Sequence, residues 1–358
     1  MLHSVIMSGG SGTRFWPRSR NAMPKQLLSF TDNKSMIQEA VERTERWIPL
    51  KRTWVVTNKK QLSATKQQLS QLASSQFIVE PTGRNTAPCI GLAACTLLAE
   101  NPDATMLVMP ADHLISQQDA FKKAVEQAED IIKKNPDAFV LFGVRPSYPA
   151  TGFGYIEQGE SIDKGVFKVQ SFREKPDLPT ATQLMNTGRF YWNCGIFMWR
   201  ADRILEALGK FEPEMFSHLQ TLQQSISQEN WESVLELEFP KMKSISIDYA
   251  VLERAEEVFV LEAPFDWDDL GSWQALARIN GVDKKGNAID IDANFCGEET
   301  TGCIVYSSDE NHLIATYGVD DLIIVHTKDA TLVARKDDEQ GLKQLVAKLK
   351  SEGHDDKL

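Results

Sequence analysis

The stretch richest in chemistry comes at once: Gly9-Gly10-Ser11-Gly12-Thr13-Arg14-Phe15-Trp16-Pro17, followed by Pro24-Lys25-Gln26. With no side chains on Gly9, Gly10 and Gly12, backbone N–H groups can approach an anion closely. Arg14 and Lys25 add two cations near the same loop, which suits a polyphosphate ester. The spacing is neither Gly-x-x-x-x-Gly-Lys-Ser/Thr nor Gly-x-Gly-x-x-Gly, so the loops built on those two patterns are not indicated. A plain tight turn flanked by surface cations is the alternative.

Two acidic segments could complement that loop. Pro110-Ala111-Asp112-His113 follows the apolar run Thr105–Met109, and Asp266-Trp267-Asp268-Asp269-Leu270-Gly271-Ser272-Trp273 gathers three acids before a glycine. A carboxylate just past the carboxyl end of a strand faces the ligand crevice of an α/β sheet, where a hard cation can bridge it to phosphate. Asp112 could instead cap the next segment. Glu80-Pro81-Thr82-Gly83-Arg84-Asn85-Thr86-Ala87-Pro88 closes a third apolar run and opens a helix, with Asn85 or Thr86 as its cap.

The elements that must position these residues follow from periodicity. Leu2–Met7, Thr53–Thr57, Gln76–Glu80, Thr105–Met109 and Ala138–Val144 are apolar runs that predict buried strands. Met36–Trp47 (with a Ser35/Gln38 capping box), Lys59–Ala73, Thr86–Glu100 and Asp119–Lys134 alternate with them as helices. Strand and helix repeated in this way predict a doubly wound, mostly parallel, Rossmann-like α/β sheet. Beyond residue 150, Val166–Glu174 and Tyr191–Trp199 predict strands, and Arg203–Leu208 and Trp231–Phe239 predict helices. Beyond residue 280, Ile304–Ser307, His312–Thr316, Leu322–His326 and Thr331–Ala334 are short β-branched runs about ten residues apart. They predict a small all-β module, solenoid or meander, closed by an amphipathic helix over Glu339–Lys350 and a frayed, charged Ser351–Leu358. The expected domains are one over 1–280, in two halves that meet at about 150, and a C-terminal one over 281–358.

Composition narrows the class. The chain has 358 residues and a formal charge of −11, which disfavours general nucleic-acid binding. No window nears the length of a membrane span, and the amino terminus lacks the charge and apolar length of a signal peptide. Five cysteines without a Cys-x-x-Cys pair argue against a disulfide framework or a structural zinc site and for reduced thiols, hence a cytoplasmic protein. Cys194 reads as a small core residue, and His312 and His326 as sheet residues rather than ligands.

The motifs together resemble the sugar-1-phosphate nucleotidylyltransferases. Gly-Gly-x-Gly-Thr-Arg, Trp16-Pro17-Arg18-Ser19-Arg20 and Pro-Lys-Gln are similar to the mannose-1-phosphate guanylyltransferases (GDP-mannose pyrophosphorylases) in particular, and the likeness runs over roughly residues 1–280. The resemblance implies nucleotide contacts at Gly9, Gly10, Gly12, Thr13, Glu80, Arg84, Asn85, Thr86, Pro110 and Asp112, with the Glu80–Pro88 stretch reading guanine. It implies that Arg14 and Lys25 neutralise the departing pyrophosphate. It makes Asp112 and Asp269 the magnesium ligands, with Asp268 as the near alternative to Asp269. Thr151-Gly152-Phe153-Gly154-Tyr155-Ile156, Phe172-Arg173-Glu174-Lys175-Pro176 and Tyr191-Trp192-Asn193-Cys194-Gly195-Ile196-Phe197 are similar to that family's sugar-binding segments. Gly154, Glu174, Lys175 and Asn193 are the implied sugar contacts, and Lys175 also meets the sugar phosphate. Phe153 and Cys194 stand where the family often has Tyr and Ser. Ser244–Glu253 matches a further segment in which Asp248 is read mainly as a helix cap, with a structural role near the sugar.

The implied activity is transfer of GMP from GTP to mannose 1-phosphate, giving GDP-mannose and pyrophosphate, with Mg2+ and no nucleic-acid or membrane partner. Another base or sugar, or a binding protein that keeps the pocket without turnover, are the alternatives. In the resembled family the C-terminal module supports subunit contacts, so a homodimer is expected.

Overall fold

Apolar runs without polar alternation need cover on both faces, and the computed structural model gives it to them. It describes residues 1–10, 12–30, 34–290 and 293–358; Ser11 of the glycine loop lies outside these. The chain divides into two units, the first formed by Met1–Gly9, Ile37–Ala111 and Ile115–Trp267, the second by Gly10–Met36, Asp112–Leu114 and Asp268–Leu358.

The first unit is built on a nine-stranded sheet. Its strands are β1 (Leu2–Ser8), β2 (Thr53–Asn58), β3 (Phe77–Glu80), β4 (Thr105–Pro110), β5 (Phe139–Val144), β6 (Tyr155–Asp163), β7 (Val166–Arg173), β8 (Phe190–Arg200) and β9 (Val258–Glu262). They lie in the order β3-β2-β1-β4-β8-β5-β9-β7-β6. The pairings leave only β7 and β8 running against the others. Helices that flank the sheet include α1 (Thr86–Glu100), α2 (Gln118–Lys134), α3 (Ala201–Phe211), α4 (Pro213–Ser225) and α5 (Trp231–Glu238). One face is covered by α1, α3, α4 and α5, packed over Val5, Trp54, Val56, Met106, Val108, Leu141 and Trp199. Against the other face α2 seats Phe121 at 6.4 Å from Phe142 and 5.2 Å from Phe265. Leu141 and Phe142, adjacent in β5, thus serve opposite layers, as period-two alternation requires. The register places Ser8, Glu80 and Pro110 at one edge of the sheet, all at strand carboxyl ends.

The Thr86–Glu100 helix stands as expected. The Lys59–Ala73 helix is shorter, Leu62–Gln68, because its serine- and glutamine-rich end turns away after Leu69. Periodicity alone does not announce the hairpin partner β6, the helix Pro213–Ser225 or the strand Val258–Glu262.

In the second unit the all-β segment is a solenoid. Asn294–Thr301 pairs in parallel with Leu313–Asp320, and Ile304–Ser307 with Leu322–Thr327, both at an offset of 19 residues. Corner positions repeat at the same offset: Glu299 and Gly318 have φ of 49° and 62°, Gly302 and Asp321 66° and 50°. Buried Asn287 ties two levels together, donating to the Thr300 carbonyl (3.1 Å) and accepting from the Cys303 amide (3.0 Å). One antiparallel strand, Ala330–Arg335, pairs with Leu322–Thr327 before α6 (Glu339–Ser351). His312 and His326 stack at 3.6 Å, and the His326 ring bonds Thr331. The core of this unit joins Phe15, Trp16 and Phe30 with Trp273, Tyr306, Ile323, Val325 and Leu342.

Candidate active site

Each unit carries its own set of the residues singled out above. In the second unit, Gly12 sits in the left-handed region (φ 61°), where a Cβ would fall 2.6 Å from the Lys25 backbone nitrogen. Only glycine lets the chain pass there. The Phe15 amide and the Ser19 hydroxyl both donate to the Gly12 carbonyl, at 3.0 and 2.6 Å, and Gln26 Nε2 donates to Gly10 O at 3.2 Å. A turn over Lys25–Leu27 then buries Lys25 to 4% exposure.

A buried ammonium needs acceptors. Lys25 Nζ donates to Asp112 Oδ2 at 2.9 Å and to the main-chain oxygen of Asp269. Two acids 157 residues apart in sequence are thereby drawn to one cation. Burial would raise the Asp112 carboxyl, but Lys25 and His113 outweigh it and hold the group below its ordinary value. Asp269 goes the other way: burial, with Asp268 adding to it, raises its carboxyl against the pull of Lys25 and Arg14. The Gly271 amide donates to Asp269 Oδ1 at 3.0 Å, and a Cβ on Gly271 would meet the other oxygen at 2.7 Å. Asp268 is committed elsewhere, paired twice with Arg278 at 2.6 and 2.9 Å. Arg14 is exposed and its charge acts on Asp269; Thr13 lies in the same short turn. His113 Nε2 stands 4.0 Å from Asp112.

Among the described residues no group of three or more His, Cys, Asp or Glu side chains is placed to hold a metal ion. Two half-buried carboxylates, Asp112 and Asp269, nevertheless fit the way Mg2+ is held, by one or two carboxylates with waters and substrate phosphates completing the shell.

In the first unit Glu80 ends β3 at 5% exposure, and burial raises its carboxyl to about 7. Its Oε1 has no hydrogen-bond partner among the described residues, and Gly9 lies alongside, where a Cβ would come 3.3 Å from Oε2. Asn85 caps α1 through its side chain onto the Thr86 amide, with φ 68°. Thr86 Oγ1 instead accepts from the Ile247 amide (2.8 Å), and Arg84 donates to the Pro240 carbonyl. These contacts draw the Ser244–Glu253 segment to the start of α1.

The implied sugar contacts also meet in this unit. Glu174 Oε2 would be 2.6 Å from a Cβ on Gly154, so the glycine is what lets the carboxylate in. The Asn193 amide N–H donates to Gly154 O (2.8 Å), while its side chain donates to Asp248 Oδ1 (2.8 Å). Lys175 pairs with Glu174. Burial first, then the neighbouring Glu174, raises the Asp248 carboxyl. Asp248 therefore faces this cluster as well as opening the turn Asp248–Leu252. Sequence alone gives it only a capping and structural part, since nothing in the local pattern shows that Asn193 reaches it across 55 residues.

The chain matches the nucleotidyl transferase family over residues 3–286 and the MannoseP isomerase/GMP-like beta-helix domain over 286–349. It is 38% identical to a mannose-1-phosphate guanylyltransferase of Salmonella typhimurium, over 97% of this chain and 72% of that one. It is 37% identical to the mannose-1-phosphate guanylyltransferase of Escherichia coli K12, over 98% of this chain and 74% of that one. A crystal structure from Thermus thermophilus, described as a mannose-1-phosphate geranyltransferase, superposes with a TM-score of 0.87 at 29% identity, covering 98% of this chain and 99% of the other.

Proposed function

The chain belongs to the nucleotidyl transferase family, and from that premise we propose that it transfers GMP from GTP to mannose 1-phosphate, releasing pyrophosphate. The observation that carries the site assignment is Lys25, buried and held on both Asp112 and the Asp269 backbone beside a side-chain-poor loop.

A phosphate monoester is already anionic near neutral pH, so its attack on the α-phosphorus of GTP needs no general base. What the protein must supply is position and charge. Gly10, Gly12 and Thr13 give backbone amides to the triphosphate, and Arg14 and Lys25 take up charge on the leaving pyrophosphate. Glu80, with Asn85 and Thr86 at the start of α1, receives the base. Glu174, Asn193 and Asp248 accept and donate to sugar hydroxyls, and Lys175 reduces repulsion at the sugar phosphate. Asp112 and Asp269 are the residues that would hold Mg2+, which when bound supplies charge neutralisation at phosphate oxygens.

A cytoplasmic homodimer is part of the same reading. All five cysteines are unpaired, as in a reducing compartment, and no described helix is long and apolar enough to cross a membrane. Sedimentation of the purified chain tests the dimer.

The enzymatic test is pyrophosphate release across a panel of GTP, ATP, UTP and dTTP with mannose 1-phosphate or glucose 1-phosphate. GTP with mannose 1-phosphate should be fastest; a faster pair of other substrates would replace this assignment. Asp112→Ala and Asp269→Ala should each lower turnover on the order of 10²–10³-fold. Near-wild-type turnover in both would remove the metal assignment.

A further inference from the structure

The second unit places the end of the described chain on the glycine loop. Trp16 follows the Thr13–Phe15 turn directly. Its indole Nε1 donates to the Lys357 carbonyl at 2.7 Å, and its own carbonyl accepts from Trp273 Nε1 at 3.3 Å. Four residues on, Arg20 pairs with Asp329 at 2.8 Å, and Lys357 reaches the other oxygen of the same carboxylate at 3.7 Å. Arg18 is held between the rings of Phe30 and Tyr306, 4.5 and 4.4 Å from their centres. Phe15 and Trp16 pack in one core with Leu342, Val346 and Leu358, and beside them a cavity of about 450 Å3 is lined by Thr13, Ser19 and Asn21, by Lys343 and Lys350 of α6, and by Leu358. The turn Asp355–Lys357 thus holds the loop at Trp16, next to where α6 packs on it.

We propose that this terminal turn, through the Lys357 carbonyl and Asp329, is a brace that positions the phosphate loop, with Trp16 as its anchor. Trp16 touches no substrate in this scheme. It fixes the turn whose Gly12 packs on the Lys25 backbone, and so sets where Lys25 and Arg14 stand. The inference rests on the functional reading above and adds a role for the C-terminal module in triphosphate binding.

Three variants test it: Trp16→Phe, which keeps a ring but loses the donor; a chain ending at Gly353, which removes the acceptor; and the two combined. A lost part-buried hydrogen bond transmitted to the loop should raise KM for GTP roughly 3- to 10-fold, and equilibrium GTP binding in Mg2+ should weaken alike. KM for mannose 1-phosphate should stay within about twofold, because the sugar contacts belong to the first unit. The combined variant should be little worse than the shortened chain, which already removes that bond together with the Lys357–Asp329 pair. A lowered melting temperature with both KM values unchanged, or equal losses for both substrates, overturns the brace. A wild type that turns over while its variants match it removes the brace alone. A wild type that binds no nucleoside triphosphate removes the functional reading as well.

Discussion

Replacing Glu80 by Gln should make the protein more stable, and by an amount that depends on pH. The carboxyl is 5% exposed, and burial lifts it from an ordinary 4.5 to about 7. At ~1.4 kcal/mol for each tenfold change in proton affinity, that gap is worth about 3 kcal/mol. Below pH 4.5 the group is protonated whether the chain is folded or not, and it costs nothing. Between 4.5 and about 7 the unfolded chain loses the proton while the folded one keeps it, so stability falls as pH rises. Above 7 the full penalty stands. Glu80→Gln, neutral throughout, should therefore gain about 3 kcal/mol relative to wild type between pH 4.5 and 8, on top of any constant offset. Urea unfolding at the two pH values measures it. An equal difference at both would refute the buried, strained carboxyl. A guanine edge offers two N–H donors, which favour the ionised form. GTP binding near pH 7 should then release a fraction of a proton, read by calorimetry in buffers of different ionisation enthalpy, and the Gln variant should release none.

The glycines of the loop should separate by role. Gly12→Ala meets Lys25 backbone at 2.6 Å with φ 61°, and should cost about 1–3 kcal/mol in denaturant unfolding. Gly10→Ala, whose Cβ meets nothing within 4 Å, should leave stability within ~0.5 kcal/mol while weakening GTP binding about tenfold. Asn287→Ala strands the Thr300 carbonyl and the Cys303 amide, and should lower stability by about 2–3 kcal/mol; an unchanged unfolding midpoint would mean that water replaces the side chain.

Much of this was legible in the sequence because it is local. Thr86–Glu100 has a cap, an apolar interior and a polar end, and folds where those signals say. Ile304–Ser307 is four residues of β-branched and aromatic character between turn residues. What escaped is what neighbours decide. The strand Tyr155–Asp163 carries Glu157, Gln158, Glu160 and Asp163, and is held by pairing to Val166–Arg173 rather than by its own pattern. Asn294–Thr301, with a glycine and two glutamates, becomes a strand because a like segment stacks 19 residues later. At the site, residue types and strand ends pointed to Lys25 and Asp112, and the family resemblance to Asp269 with Asp268 as its alternative. They could not show that Lys25 takes the backbone rather than the carboxylate of Asp269, nor that Asp268 is claimed by Arg278.

The coil of parallel strands has one further implication, for how this chain can change length. Two of its parallel pairings step by 19 residues and an earlier one, Ala288–Ile289 on Ile304–Val305, by 16, and each added or deleted layer would shift the rest of the chain by about 4.8 Å along the coil axis. Growth there comes in whole steps, like beads on a rod. One step in either direction would carry the Asp355–Lys357 turn out of reach of Trp16, a hydrogen bond of 2.7 Å that has no slack for it. Insertions should accumulate in loops at the corners, and the number of layers should stay fixed for as long as that bond is needed.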